Sequence, residues 1–181
     1  WGVLTQLLTL AVVFRIFNIG GTSMFRKILI FTAIVLFAGV FFLFGKDTDL
    51  QIYKEDEVPD FPVQLSEQHW KQLLEPQKFY ILREQGTERA FTGPLNNNKQ
   101  KGTYYSAATG QPDFSSEQKY DSGSGWPSFW VPIDQDAVVL IEDNSLFSKR
   151  IEVVDSLSGS HLGHVFNDGP NPTGLRYCIN S

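Results

Sequence analysis

The sequence predicts an α+β domain dominated by antiparallel β-structure. Helix-period patterning is confined to residues 65–85. From Gly86 onward, short apolar or aromatic runs alternate with turns rich in Gly, Pro and Asn. Aromatic residues are abundant and helix formers modest. Two short helices followed by many short strands is an α+β layout. The 181 residues suffice for one domain with its own core plus an appendage.

Residues 1–23 start at Trp1 and precede the only methionine, Met24, so they are set aside as upstream or fragment sequence. At 24–45 the pattern is that of a signal anchor or signal peptide. Arg26 and Lys27 precede an uncharged run of 17 residues, 28–44, and Lys46-Asp47-Thr48-Asp49 follow. That length is at the short end of a transmembrane helix. The charge layout keeps the N-terminus inside and sends the remainder outside. A cleavable signal peptide has the same charges. Val40-Phe41-Phe42-Leu43-Phe44 offers no small-x-small cleavage site, which favours an uncleaved anchor. Residues 46–62 are charged and contain Pro, and read as a linker; the domain proper is expected over 63–181.

Residues 65–74 predict a helix. Ser66 is a suitable N-cap, Leu65 and Trp70 can staple across it, and Trp70, Leu73 and Leu74 share a face. Pro76 opens a second helix to about Gln85 that packs through Phe79, Ile81 and Leu82, with Gly86 as the residue past its end. His69 reads as a surface or packing residue. Residues 103–108, 137–142 and 149–154 predict strands, and Ser122 to Trp130 a Gly-rich turn bearing three aromatics, of which Phe129 and Trp130 read as core. Near the end, the turn-forming run 167–174 can fold strand 162–166 back beside strand 175–179. That brings His161 and His164 within reach of Cys178, the only cysteine.

The net charge of -5, with no basic patch, argues against nucleic-acid binding. A single cysteine excludes an internal disulfide and a Cys-rich zinc site within these residues. A lone free cysteine is usually a small buried hydrophobe. Cys178 differs in its neighbours. Arg176, two residues away on the same strand face, is expected to lower the thiol pKa. His161 and His164 can supply protons, and Asn180 an amide. A thiolate, proton donors and a cation suit attack on an electrophilic heteroatom whose oxygen must be protonated. Trp126, on its Gly-rich turn, is a wall for a small apolar group. Two other readings stand beside this one. His161, His164, Asp168 and Cys178 could ligate a metal, although two histidines three apart on a regular strand point to opposite faces. A Cys–His pair could also serve a hydrolase.

Three segments carry a resemblance: Gly86 to Gly93 (G-T-E-R-A-F-T-G), Phe114 to Trp130 (F-S-S-E-Q-K-Y-D-S-G-S-G-W-P-S-F-W) and Gly159 to Ser181 (G-S-H-L-G-H-V-F-N-D-G-P-N-P-T-G-L-R-Y-C-I-N-S). On these motifs residues 65–181 resemble the type B methionine sulfoxide reductases. The resemblance implies two antiparallel sheets with short N-terminal helices, and reduction of the R epimer of methionine sulfoxide, mainly in oxidised proteins. It implies Cys178 as nucleophile and His161, His164, Arg176 and Asn180 as its polar surroundings. Trp126 would hold the substrate methyl, with Phe166 beside it in substrate binding. The expected product on the enzyme is a cysteine sulfenic acid. No cofactor is implied.

Two departures from the family pattern matter. The positions of the family's structural zinc thiolates are Ser106, Thr109, Asp155 and Ser158, so no such metal is expected. The position of a resolving cysteine is Ser124, so an external thiol, thioredoxin-like or small, must regenerate the enzyme. Family members continue past Asn180-Ser181 with another apolar strand, so the domain is expected to be cut short here. A monomer with its catalytic domain on the extracytoplasmic side, periplasmic in a bacterium, completes the expectation. The alternative from another class is a non-catalytic module that binds oxidised methionine.

Overall fold

Ser66 leaves the extended entry segment and caps the first helix, accepting a hydrogen bond on Oγ from the His69 amide at 3.3 Å. The computed structural model describes residues 50–145 and 149–181. The upstream stretch 1–23 and the anchor expected at 24–45 lie outside the described residues. Among the described residues no helix is long and apolar enough to cross a membrane.

Helix α1 (Glu67–Leu73) buries Trp70, and helix α2 (Pro76–Arg83) buries Phe79, Ile81 and Leu82. The Arg83 guanidinium lies 5.2 Å from the Trp70 ring and bonds the Ser158 carbonyl at 3.2 Å, tying the helix pair to the sheet. Two expectations fail here. Leu73 is 67 % exposed and Leu65 is also at the surface, because α1 stops after two turns and only Trp70 faces inward. The left-handed residue ending α2 is Gln85, at φ 54, rather than Gly86. His69 is exposed, its ring bonded to Ser66.

Among the described residues the strands are β1 (Ile52–Tyr53), β2 (Thr103–Tyr105), β3 (Pro112–Ser115), β4 (Lys119–Tyr120), β5 (Ser128–Phe129), β6 (Val138–Asp143), β7 (Arg150–Asp155), β8 (His161–Phe166) and β9 (Arg176–Ile179). Seven form one sheet in the order β1-β6-β7-β8-β9-β5-β4, antiparallel except for the parallel β1–β6 pair; β2 and β3 form a second, two-stranded antiparallel sheet. The sheets are thus unequal in size. Strand β1 comes from the stretch read as a linker, and Val63 also bonds the Leu157 carbonyl, at 2.7 Å. Alternation puts Leu140, Val153, Val165, Tyr177 and Ile179 on the face packed against Leu82, Phe114 and Phe129. Phe114 stacks on Phe129 at 4.6 Å, so Phe129 is core as expected, while Trp130 is only half-buried.

Phe91 departs from ordinary backbone geometry. It adopts φ 66 with its ring 67 % exposed, and its amide bonds the Gly125 carbonyl at 2.8 Å. A bulky residue there carries about 1–2 kcal/mol of steric cost that glycine avoids. Glycine gives back part of that gain through a freer unfolded chain. We expect Phe91→Gly to raise stability by about 0.5–1 kcal/mol, seen as a higher urea midpoint; a lower midpoint would mean that the ring's contact with the turn outweighs the strain.

Candidate active site

Strand pairing builds the site. In register, Glu152 of β7 faces His164 of β8, His164 faces Cys178 of β9, and Cys178 faces Ser128 of β5. Partners in register project from the same side of a sheet, so these four form one row across four strands. Phe166 and Arg176 are the facing pair two residues further along the same two strands, hence on the same face. The turn at 167–174 thus returns the chain as expected.

His161 joins this face through an irregularity. Between β7 and β8 the register steps from Val153↔Gly163 to Val154↔His161, leaving Leu162 as an extra residue. The bulge rotates His161 onto the face of His164, and their ring centroids lie 5.3 Å apart. The opposite-face expectation for two histidines three apart is therefore wrong, because it assumed unbroken alternation. The glycine between them is required: a side chain on Gly163 would collide with the Cys178 carbonyl.

Each histidine has a carboxylate partner. His161 Nδ1 lies 2.6 Å from Glu152 Oε1, with His161 only 2 % exposed and Glu152 also buried. Gln85 Nε2 donates to both Glu152 oxygens at 3.2 Å, which gives its left-handed backbone a purpose. His161 Nε2 is buried with no partner among the described residues. His164 Nε2 lies 3.0 Å from Asp143 Oδ2, to which the Arg150 guanidinium also donates at 2.6 Å. Burial disfavours ionised Asp143, but hydrogen bonds from Ser145, His164 and Arg150 outweigh it and hold the carboxyl well below its usual range. Burial pushes the His164 imidazole below its ordinary value despite the Asp143 bond that pulls it up, so it is neutral at pH 7. With Nε2–H donating to the carboxylate, Nδ1 carries the free lone pair.

Cys178 is a free, half-buried thiol. Burial pushes its pKa up, and the Ser124 hydroxyl at 3.8 Å and the Arg176 cation pull it back only in part. The expectation of a lowered thiol pKa is corrected: desolvation exceeds the cation's effect. Arg176 is already engaged, donating through Nε and NH2 to Asp168 at 2.8 and 2.9 Å, with its guanidinium 4.4 Å from the Phe166 ring. That spent cation is one reason for the weak pull.

Asn180 and Trp126 hold a strap over this face. Asn180 Oδ1 accepts from the Glu88 amide at 2.9 Å, and its Nδ2 donates to the Leu162 carbonyl at 3.1 Å. Trp126 Nε1 donates to the Glu88 carbonyl at 3.1 Å. Asn180 thus bonds backbone and positions residues 86–93. The indole is fixed by the same strap on the turn entering β5, which Gly125 permits by adopting φ 95.

Glu152, Asp143 and Gln85 escaped the sequence reading as partners of the site, and Ser124 entered it only as the position of a resolving cysteine. A signal existed for Glu152, a charge flanked by the apolar residues Ile151, Val153 and Val154 within an expected strand. Asp143 gave none, because its reach to His164 depends on the β6–β7–β8 register, in which it stands opposite Arg150.

Of the positions matching the family's zinc ligands, Thr109, Asp155 and Ser158 form a hydrogen-bonded set, while the Ser106 hydroxyl bonds its own turn. Thr109 Oγ1 donates to Asp155 Oδ2 at 2.6 Å, and the Ser158 amide donates to Asp155 Oδ1 at 2.9 Å. Ser106 Oγ accepts from the Ala108 amide at 3.3 Å. One carboxylate and three hydroxyls do not make a zinc donor set, so these residues do not fit the metal. Nor do His161, His164, Asp168 and Cys178 form a metal-holding group among the described residues: Asp168 is held by Arg176 and each of the two histidines by its own carboxylate.

Asp113, beside this set, is 3 % exposed, and burial above all pushes its carboxyl to about 7, with Gln111 opposing and Asp155 adding. Its folded pKa exceeds the ordinary 3.8, so the folded state binds more protons and stability falls as pH rises from about 4 to 7. The difference caps the loss at about 4 kcal/mol. We expect Asp113→Asn to stabilise by about 1–3 kcal/mol at pH 8 and by much less at pH 5, read as the change in Tm at the two pH values; an equal change at both would show that ionisation is not the cause.

Comparison with known proteins places the chain by sequence. Residues 74–181 match the SelR domain. Peptide methionine sulfoxide reductase MsrB of Methanosarcina mazei is 60 % identical over 119 residues, covering 66 % of this chain and 85 % of that protein. The MsrB of Leptospira interrogans is 54 % identical over 122 residues, covering 67 % and 93 %. The chloroplastic peptide methionine sulfoxide reductase B1 of Arabidopsis thaliana is 49 % identical over 117 residues, covering 65 % and 58 %. A SelR domain over more than half of the chain, together with such identities over most of two MsrB proteins, means that the chain belongs to the MsrB family of peptide methionine sulfoxide reductases.

Proposed function

We propose that this protein reduces methionine sulfoxide to methionine, with the R epimer in oxidised polypeptides as substrate and Cys178 as nucleophile. The observation that carries the reading is the row Glu152–His164–Cys178–Ser128 on one sheet face, with a neutral imidazole opposite the thiol. A neutral thiol beside a neutral base brings its own proton. As Cys178 Sγ attacks the sulfoxide sulfur, its proton passes to His164 Nδ1 and on to the sulfoxide oxygen. The protonated oxygen then moves from the substrate sulfur to Cys178 Sγ as the new S–S bond breaks, so the thioether leaves as methionine and Cys178 becomes a sulfenic acid. The cysteine sulfur is oxidised by two electrons and the sulfoxide sulfur reduced by two. An external thiol then condenses with the sulfenic acid, releasing water and forming a mixed disulfide. A second thiol attacks that disulfide and frees Cys178. A thioredoxin-like protein or a small thiol fits this role, since Cys178 is the only thiol in these residues.

Trp126 and Phe166 fit the apolar wall for the substrate methyl, and His161, fixed by Glu152, lies beside His164 on the oxygen side. The charge layout of residues 24–45 supports a membrane-anchored enzyme with this domain extracytoplasmic.

The test is incubation with dabsylated methionine-R-sulfoxide or its S epimer and dithiothreitol, with chromatography of the product. We expect dabsyl-methionine from the R epimer alone. Equal reduction of both epimers would remove the stereochemical part of the reading. Binding of oxidised peptide without product would favour the non-catalytic module instead.

A further inference from the structure

Behind Cys178, on the side away from His164, three serine hydroxyls lie in series. Ser124 Oγ is 3.8 Å from Cys178 Sγ, Ser122 Oγ is 2.8 Å from Ser124 Oγ, and Ser128 Oγ is 2.7 Å from Ser122 Oγ. Ser128 Oγ in turn lies 3.2 Å from the Trp126 carbonyl. Ser128 is fully buried and stands opposite Cys178 in the β5–β9 register, so the series closes around the sulfur. The far side is not sealed. Ser122 and Ser124 line an open cleft of about 500 Å³ together with Tyr120, Asp168 and Arg176.

We propose that Ser124, Ser122 and Ser128 form a reversible hydroxyl chain whose direction follows the protonation of the Cys178 sulfur. Each serine has one O–H, which leaves two self-consistent arrangements. With Cys178 as a thiol, S–H donates to Ser124, Ser124 to Ser122, Ser122 to Ser128, and Ser128 to the Trp126 carbonyl. With Cys178 as a thiolate, every O–H turns around: Ser128 donates to Ser122, Ser122 to Ser124, and Ser124 to the sulfur. The serine O–H bonds only rotate; the one bond broken is Cys178 S–H, whose proton passes to a base, His164 in the proposed reaction. The Ser124 amide, 3.3 Å from Ser122 Oγ, donates to that oxygen in either arrangement and holds the middle of the chain in place.

Two consequences follow. Ser122, which does not touch the sulfur, stabilises the thiolate through Ser124, as polarised hydrogen bonds reinforce one another. The Trp126 carbonyl loses its hydroxyl donor when the thiolate forms, so the turn bearing the indole senses the charge of the nucleophile. These three serines are positioning residues, and their role rests on Cys178 being the nucleophile of the proposed reductase.

The experiment follows alkylation of Cys178 by iodoacetamide from pH 6 to 10 by intact-protein mass spectrometry, without sulfoxide. A lost hydrogen bond of ordinary strength predicts that Ser122→Ala alkylates about threefold to tenfold more slowly at pH 8, with its midpoint displaced upward. Ser122→Thr, which keeps the hydroxyl, restores the profile. The Ser122→Ala, Ser124→Ala double variant is no slower than Ser124→Ala alone, because the chain is already cut. A wild-type profile for Ser122→Ala overturns the chain, as does Ser122→Thr behaving like Ser122→Ala. Failure of the reductase reading shows separately, as wild-type protein whose Cys178 alkylates in this manner but which turns over no sulfoxide.

Discussion

Cys178→Ser is expected to abolish turnover of methionine-R-sulfoxide, lowering kcat by about a thousandfold or more. A serine hydroxyl in this half-buried site has no means of ionising near neutral pH, and its oxygen cannot take up the sulfoxide oxygen as a stable sulfenic acid does. The exchange changes little volume, so Tm should move by less than about 1 kcal/mol equivalent. Dabsyl-methionine formation and thermal unfolding, measured on the same preparation, separate loss of chemistry from loss of fold. More than a tenth of wild-type activity in a folded Cys178→Ser protein would place the nucleophile elsewhere. Since the chain offers no other thiol, that would end the sulfenic-acid route.

His164→Ala is expected to lower kcat by about 10²–10⁴-fold, the usual contribution of a positioned acid–base group, with KM little changed. The pH profile gives the sharper test. Burial holds His164 below the ordinary imidazole value, so the acid limb of kcat/KM in the wild type falls below pH 6.5. The Asp143 carboxylate is the main influence raising His164. Asp143→Asn therefore shifts the acid limb to lower pH, even as the plateau drops because the imidazole is less firmly oriented. A limb that moved to higher pH would show that another group sets it. The same depressed imidazole has a stability consequence. The folded state prefers neutral His164, so its contribution is present above the unfolded value and is lost as pH falls through the folded one. On the alkaline side, the raised Cys178 thiol predicts a plateau that extends past pH 8 and falls only where the thiol, and with it the proton for the sulfoxide oxygen, is lost.

The helix-capping Ser66, the buried trio Phe79, Ile81 and Leu82, and strands β6 to β9 were legible in the chain because each depends on nearby residues: a cap and its amide, a period, an alternation. The meeting of His164 and Cys178 was legible for the same reason, since only a short turn-forming run separates their strands. The short strands β1, β3, β4 and β5 were not. They have two to four residues each, too few for a pattern, and are strands only through the neighbours that pair with them.

Sequence by itself determined the chemical inventory: one thiol, two imidazoles three residues apart, an arginine and an amide flanking the sulfur, and an indole on a glycine-rich turn. Tertiary structure alone decided how that inventory is tuned. A one-residue bulge turned His161 to the side of His164, cross-strand register supplied Glu152 and Asp143, and Asp168 occupied Arg176. The protonation preference of Cys178 was decided there too, because desolvation depends on everything packed around an atom, whereas the proximity of Arg176 depends only on two positions along a strand.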